Sequence, residues 1–219
     1  MNIQFDVIVE NLPNFIEGLW NTIWICASGT VLSLLFGILL LIPLISDSAI
    51  ARTSIQSFVD AARAVPFLML AYVIYYGLPS LGLTLDSWTT AVVTIVIYNT
   101  AYMTEILRSA WASLPPGQIE AGRAYGFTGW QLLRRIILPQ VILSSVPVLG
   151  NQFIQVIKDS AFLSIITIEE LTFVARSIQS TYYVPFESFF VAALLYWLLC
   201  LTVEFGVKKV ETLRLIYAR

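Results

Sequence analysis

The side chains with the most chemistry to offer lie in stretches that are otherwise apolar. Between Ile136 and Ile157 these are Ser144, Ser145, Asn151, Gln152 and Gln155. Between Trp88 and Leu107 they are Tyr98, Asn99, Thr100, Tyr102 and Glu105. At helical spacing Ser145, Gln152 and Gln155 share one face, and Ser144, Asn151 and Gln155 share the adjoining one, giving a single polar stripe. Amides and hydroxyls both donate and accept. The stripe therefore suits either recognition of a polar solute crossing the membrane or hydrogen bonding between helices. Asn99 and Tyr102 are candidates for the same path, with packing as the alternative. Catalysis is a poorer reading. The chain has no histidine, which removes imidazole acid–base chemistry, histidine metal sites and Ser-His triads. Cys26 and Cys200 each sit inside an apolar run with no metal-ligand spacing.

The elements that must position these residues follow from composition. Of 219 residues 58% are hydrophobic and 12% are charged, against roughly 25% charged in a soluble domain. Such a chain cannot cover a water-facing surface, and a bilayer resolves the mismatch. The net charge of −2 argues against a nucleic-acid partner. Five apolar stretches of spanning length predict an all-α bundle forming one domain over residues 1–219, with spans at about 19–45, 58–78, 88–107, 136–157 and 186–207. Asp60, Arg63 and Pro66 predict a kinked or wet start to the second span. The opening Met1 to Glu17 carries no Lys or Arg, unlike a signal peptide, so the first span is expected to be retained. Of the 12 basic residues, all but Lys158 and Arg176 fall on the side of the C-terminus. That bias places the N-terminus outside and the C-terminus in the cytoplasm. Tyr75, Tyr76, Trp88, Tyr182 and Tyr183 fit interfacial belts. Glu105 with Arg108, Asp60 with Arg63, and Glu204 with Lys208 are expected to pair locally. Lys158 and Asp159 either gate the outer mouth or hold helices together.

The polar interval from Arg108 to Gln140 carries helix signals. Pro115 and Pro116 suit a helix start, Gln118 to Tyr125 a short helix, and Gly126 its end. Thr128 and Gln131 fit a capping box opening a second helix. Composition and helix signals alone leave this as an ordinary connector.

The residues Glu120-Ala121-Gly122, then Gly126, then Ile136-x-Leu138-Pro139, resemble the EAA loop of ABC-importer permeases, whose pattern is E-A-A-x3-G-x9-I-x-L-P. Gly122 in place of the second alanine is the one departure. Gly18-x3-Thr22, Arg63-Ala64-Val65-Pro66, Tyr102-x2-Glu105-Ile106-x-Arg108, Pro116-Gly117-Gln118 and Lys158-Asp159-Ser160 resemble, in order, elements of the polar amino-acid branch. The resemblance implies a MetI-like permease fold in a bacterial plasma membrane. It implies a coupling helix docked on a cytoplasmic ATPase subunit, involving Gln118, Glu120, Ala121, Gly122 and Gly126. The implied partners are an ATP-binding-cassette ATPase dimer, a second permease (the same chain or a related one), an external solute-binding protein and membrane lipid. ATP with Mg would belong to the ATPase, since this chain has no G-x4-G-K-[ST] loop and no cofactor of its own.

Relatives that carry basic amino acids tend to place an acidic residue at the turn where this chain has Gln152. An amide cannot neutralise a cationic cargo, so a neutral-polar or acidic amino acid or derivative is expected. The candidate path comprises Asn99, Tyr102, Ser145, Asn151, Gln152 and Gln155. A small oligomeric channel without an ATPase is the alternative.

Overall fold

The computed structural model describes residues 4–46 and 48–217, with side chains to residue 212; Asp47, Arg219 and the side chain of Arg214 lie outside it. Ten α-helices form the described chain: α1 Phe5–Glu10, α2 Leu12–Leu44, α3 Ala49–Ala64, α4 Phe67–Tyr72, α5 Ser87–Ala112, α6 Pro116–Ala124, α7 Gly129–Leu132, α8 Leu138–Asp159, α9 Leu171–Tyr182 and α10 Pro185–Tyr217. Four helical segments are long and apolar enough to cross a membrane: Leu12–Leu44, Ser87–Ala112, Gly129–Ile166 and Pro185–Thr212. A bent pair, Ala49–Ala64 with Phe67–Leu81, turns by 102° and brings the number to five when it is counted as one broken span.

The bend sits where the sequence requires it. Pro66 disfavours helical geometry in the residue before it, and Val65 is extended, with ψ of 136°. The predicted kink in the second span is thus a break between two helices. Proline also shapes two wider turns. The π-helical segments Val73–Gly77 and Leu133–Ile137 each end two residues before a proline, Pro79 and Pro139. Proline has no N–H to return to the carbonyl four residues back, and its ring crowds that carbonyl. A locally wider turn absorbs the mismatch. The Leu133–Ile137 turn joins α7 to α8 without a break, so Gly129–Ile166 is one helical rod.

Helix packing rests on small residues. Gly18, Thr22, Cys26, Gly29, Ser33 and Gly37 lie at three- and four-residue spacing along α2, and all are buried. In a membrane, where lipid tails are as apolar as leucine, close backbone approach drives association. A Cβ on Gly29 would fall 2.5 Å from Ile95 Cγ2 on α5, and one on Gly37 would fall 3.2 Å from Met103 Cβ. Gly29→Leu is expected to cost at least about 1–3 kcal/mol of stability, with Gly29→Ala milder. The melting temperature of the detergent-solubilised chain checks this; an unchanged value for the leucine variant would refute close α2–α5 packing.

The start of α9 is fastened to two of the spans, α2 and α10. The carboxylate of Glu170, 0% exposed, accepts from Phe173 N through Oε1 at 2.8 Å and from Thr172 N through Oε2 at 2.9 Å. The Tyr196 hydroxyl on α10 donates to Oε2 as well. Leu171 N donates to Thr22 Oγ1 on α2 at 3.2 Å. Burial pushes the Glu170 carboxyl up to about 7, against the pull of these donors.

Of the local pairs expected, Lys208 meets Glu204 at 2.6 Å and Arg108 meets Glu105 at 2.6 Å. The Asp60–Arg63 pair does not form. Asp60 Oδ1 instead accepts from Gln56 Nε2 at 2.9 Å, and the Arg63 guanidinium lies over the Tyr102 ring, 5.4 Å from its centroid. Arg63 sits two residues before the Val65 break, where α3 ends against α5, and the aromatic face there offers it a partner on another helix.

Candidate functional site

The polar stripe on α8 is divided between two environments. Ser145 is buried and donates to Val141 O at 2.7 Å. Gln152 is half-buried, and its Nε2 donates to Oδ1 of the fully buried Asn99 at 2.8 Å. Asn99 Nδ2 in turn donates to Ile95 O at 3.0 Å. The Gln152–Asn99 bond is thus a cross-link between α5 and α8. Asn151 and Gln155 face outward from the chain. Gln155 Nε2 donates to Oδ1 of the buried Asp159 at 2.9 Å, while Lys158 beside it is exposed. The stripe therefore provides an interhelical bond, by Gln152, a hydroxyl turned back on its own helix, by Ser145, and an exposed polar face, by Asn151 and Gln155.

Below Asn99 on α5 the hydroxyls of Tyr98 and Tyr102 meet at 3.2 Å, and Phe67 of α4 packs its ring edgewise on Tyr98, 5.4 Å between centroids. Arg63 covers Tyr102. Glu105 accepts from Arg108 Nε at 2.8 Å and Nη2 at 2.6 Å. Between α3, α5 and α8 a cavity of about 490 Å³ opens beside Arg63, Glu105, Ser109, Ser113, Ser144 and Ser145. Arg63, Ser109 and Ser113 were missed as candidates from sequence; the signal was present for Arg63, an arginine beside the Pro66 break.

The Arg108–Gln140 interval folds as two helices at a turn. Gly126 adopts φ of +81°, the left-handed geometry that suits glycine, and Phe127 N returns to Gly122 O at 3.1 Å. The expected capping box is absent: the Thr128 side chain makes no cap bond, and Gln131 N donates to the backbone carbonyl of Thr128 at 3.0 Å. Gly129 enters α7 at φ of +45°, off the helical geometry that the box requires.

Gly122 gains an explanation. It is the buried residue of α6, and a Cβ there would meet Leu132 Cδ1 and Ile136 Cδ1, each at 2.6 Å. Glycine lets α6 lie directly on the rod that continues into α8. Gln118, Glu120 and Ala121 remain exposed. Tyr125, 85% exposed, and Trp130, 60% exposed, add an aromatic surface beside them. Neither was singled out from sequence, although large aromatics in a polar interval are a readable signal.

A helical bundle with a polar seam between two spans, and an exposed helix seated on one of them, defines a membrane-embedded permease. The chain belongs to the family of binding-protein-dependent transport system inner membrane components, whose model matches residues 28–213. It is similar to the probable glutamine ABC transporter permease protein GlnM of Bacillus subtilis (strain 168), at 30% identity over 211 residues, 96% of this chain and 97% of that one. It is similar to the glutamine transport system permease protein GlnP of Escherichia coli (strain K12), at 32% identity over 213 residues, covering 96% and 97%. A crystal structure of an amino acid ABC transporter with histidines matches with a TM-score of 0.89 at 32% identity, covering 97% of this chain and 99% of that one. The inward-facing MetNI methionine ABC transporter matches with a TM-score of 0.71 at 20% identity, covering 91% and 97%, and shares the fold. The chain is accordingly an inner-membrane transport component of ABC-importer type. These relatives are permeases, and they do not support the channel alternative.

Proposed function

We propose that this chain moves a polar amino acid or amino-acid derivative into the cytoplasm, driven by ATP hydrolysis in separate ATPase subunits. The observation that carries the reading is mechanical continuity. Through Gly122, α6 rests on Leu132 and Ile136, and the same unbroken rod carries Ser144, Ser145, Asn151, Gln152 and Gln155. Displacing α6 therefore displaces the polar face of α8. In this reading the α6 end is cytoplasmic, as the arginine and lysine bias supports. Gln118, Glu120 and Ala121, with Tyr125 and Trp130, meet the ATPase. Gly122 and Gly126 hold the helix in place. A nucleotide-driven closure then biases the bundle between two states.

The exposed Asn151 and Gln155 face a second permease, and the path runs between the two chains toward the cavity beside Arg63 and Glu105. Asn99, Tyr102, Ser145 and Gln152 set its wall. A solute-binding protein delivers cargo at the opposite end. Gln152 is neutral, and the glutamine permeases among the relatives support a neutral-polar cargo. Uptake of labelled glutamine into proteoliposomes bearing the assembled transporter is expected to require ATP and to be competed by unlabelled neutral or acidic analogues. Strong arginine uptake dependent on Gln152 in a homodimeric transporter would refute the cargo class. ATP-independent flux would refute the coupling.

A further inference from the structure

At the α6 end, apart from the polar seam, a second cavity of about 600 Å³ lies among α2, α3, α5 and α6. Arginines from three helices line it: Arg52 of α3, Arg108 of α5 and Arg123 of α6. Asp60 is the one carboxylate of the lining among the described residues, and it already accepts from Gln56 at 2.9 Å. Arg108 is engaged with Glu105, whereas among the described residues Arg52 and Arg123 form no ion pair. Thr53 and Ser57 add hydroxyls to the same walls, where the Ser46 hydroxyl donates to Pro43 O at 2.7 Å. Guanidinium groups lining one cavity with hydroxyls suit the oxygens of a phosphate group, which guanidinium binds with charge-assisted, often bidentate hydrogen bonds.

The neighbouring surface points the same way. The opposite flank of α3 forms an apolar groove of about 470 Å³ with Phe36, Leu40, Ile55, Phe58, Val96 and Ile97. One flank of α3 thus suits acyl chains and the other carries arginines. Trp111, an interfacial residue type, lines the cationic side. Basic pockets between spanning helices recognise phosphate-bearing headgroups.

We propose that this cavity binds a phosphate group, presented by an anionic phospholipid of the adjoining leaflet or by a soluble phosphorylated compound. Occupancy ties α6 to α3 and α5. The site is independent of the cargo, and its binding is read without transport.

The test uses the full chain with its co-purifying subunits, in nanodiscs of phosphatidylcholine with or without phosphatidylglycerol. Native mass spectrometry after delipidation measures the lipid retained. In a parallel arm, inorganic phosphate and pyrophosphate are titrated against thermal stability in phosphatidylcholine alone. Arg52→Gln and Arg123→Gln are each expected to weaken binding about fivefold, and together about 25-fold. Arg176→Gln, on an exposed residue of α9, should leave it unchanged. Selective, arginine-dependent phosphatidylglycerol retention supports the site with a lipid source. Arginine-dependent stabilisation by phosphate or pyrophosphate without lipid selectivity supports it with a soluble source. Binding that ignores both arginines, or neither kind of binding, overturns it. If the double variant does not insert, Arg52→Gln alone decides by the same criteria.

Discussion

Glu170→Ala is expected to produce the largest loss of stability of any single substitution considered for this chain, about 2–6 kcal/mol. The carboxylate is fully buried and gathers two backbone N–H groups at the start of α9 and the Tyr196 hydroxyl of α10. Alanine leaves the two backbone donors without an acceptor, while the Tyr196 hydroxyl keeps Thr172 Oγ1 at 3.2 Å, and each unsatisfied buried donor costs about 1–3 kcal/mol. Glu170→Gln keeps one acceptor oxygen and removes the charge, so its loss is smaller. The pH dependence separates the two effects. Burial raises the carboxyl from 4.5 to about 7, so the folded state holds this proton more tightly than the unfolded chain. The corresponding stability is present below about 4.5 and is lost as pH rises through about 7. Thermal unfolding of the purified chain between pH 5 and pH 8 should show this fall for the natural protein and not for Glu170→Gln. An alanine variant as stable as the natural chain would remove the cap from its structural role.

The second large effect is expected in transport rather than stability. Glu120→Arg should reduce ATP-driven uptake at least about tenfold under the proposed docking of α6 on the ATPase, because a reversed charge at such an interface costs several kcal/mol. Glu120 is exposed on α6 and makes no hydrogen bond or ion pair among the described residues. The isolated chain should therefore fold and insert unchanged. Uptake by the reconstituted complex, normalised to inserted protein, measures the effect. Normal uptake at normal expression would show that α6 does not dock through this face. Restored uptake with a compensating acidic substitution on the ATPase would identify its partner.

The fold was legible where the sequence carries long, one-sided signals. Apolar runs gave the spans, and Pro66 gave the break in the second. Pro115, Pro116 and Gly126 marked the short helix between them. Reading failed where a side chain chose between a local and a distant partner. Asp60 and Arg63 are correctly spaced for a pair, yet Arg63 reaches Tyr102 on α5, a choice that only tertiary placement decides. Thr128 and Gln131 have capping-box spacing, but Gly129 at positive φ removes the geometry. Spacing alone does not give Gln152 its partner, because Asn99 lies 53 residues away on α5. Glu170 carried no local signal, since its hydroxyl partner Tyr196 lies 26 residues away. Gly122 looked like a departure from a pattern; the packing of Leu132 and Ile136 makes it a requirement for a close seat.

The break at Val65 and Pro66 also bears on how the chain enters the bilayer. Beyond it, the apolar piece consists of segments of six, five and four residues, which at 1.5 Å per residue reach about 22 Å. That is short of the roughly 30 Å hydrocarbon thickness. The helix before the break is amphipathic, with Arg52, Gln56, Asp60 and Arg63 along it. Neither half is a competent insertion signal by itself. α5 packs on both halves, so stable insertion of this pair is expected to depend on α5 being present beside it.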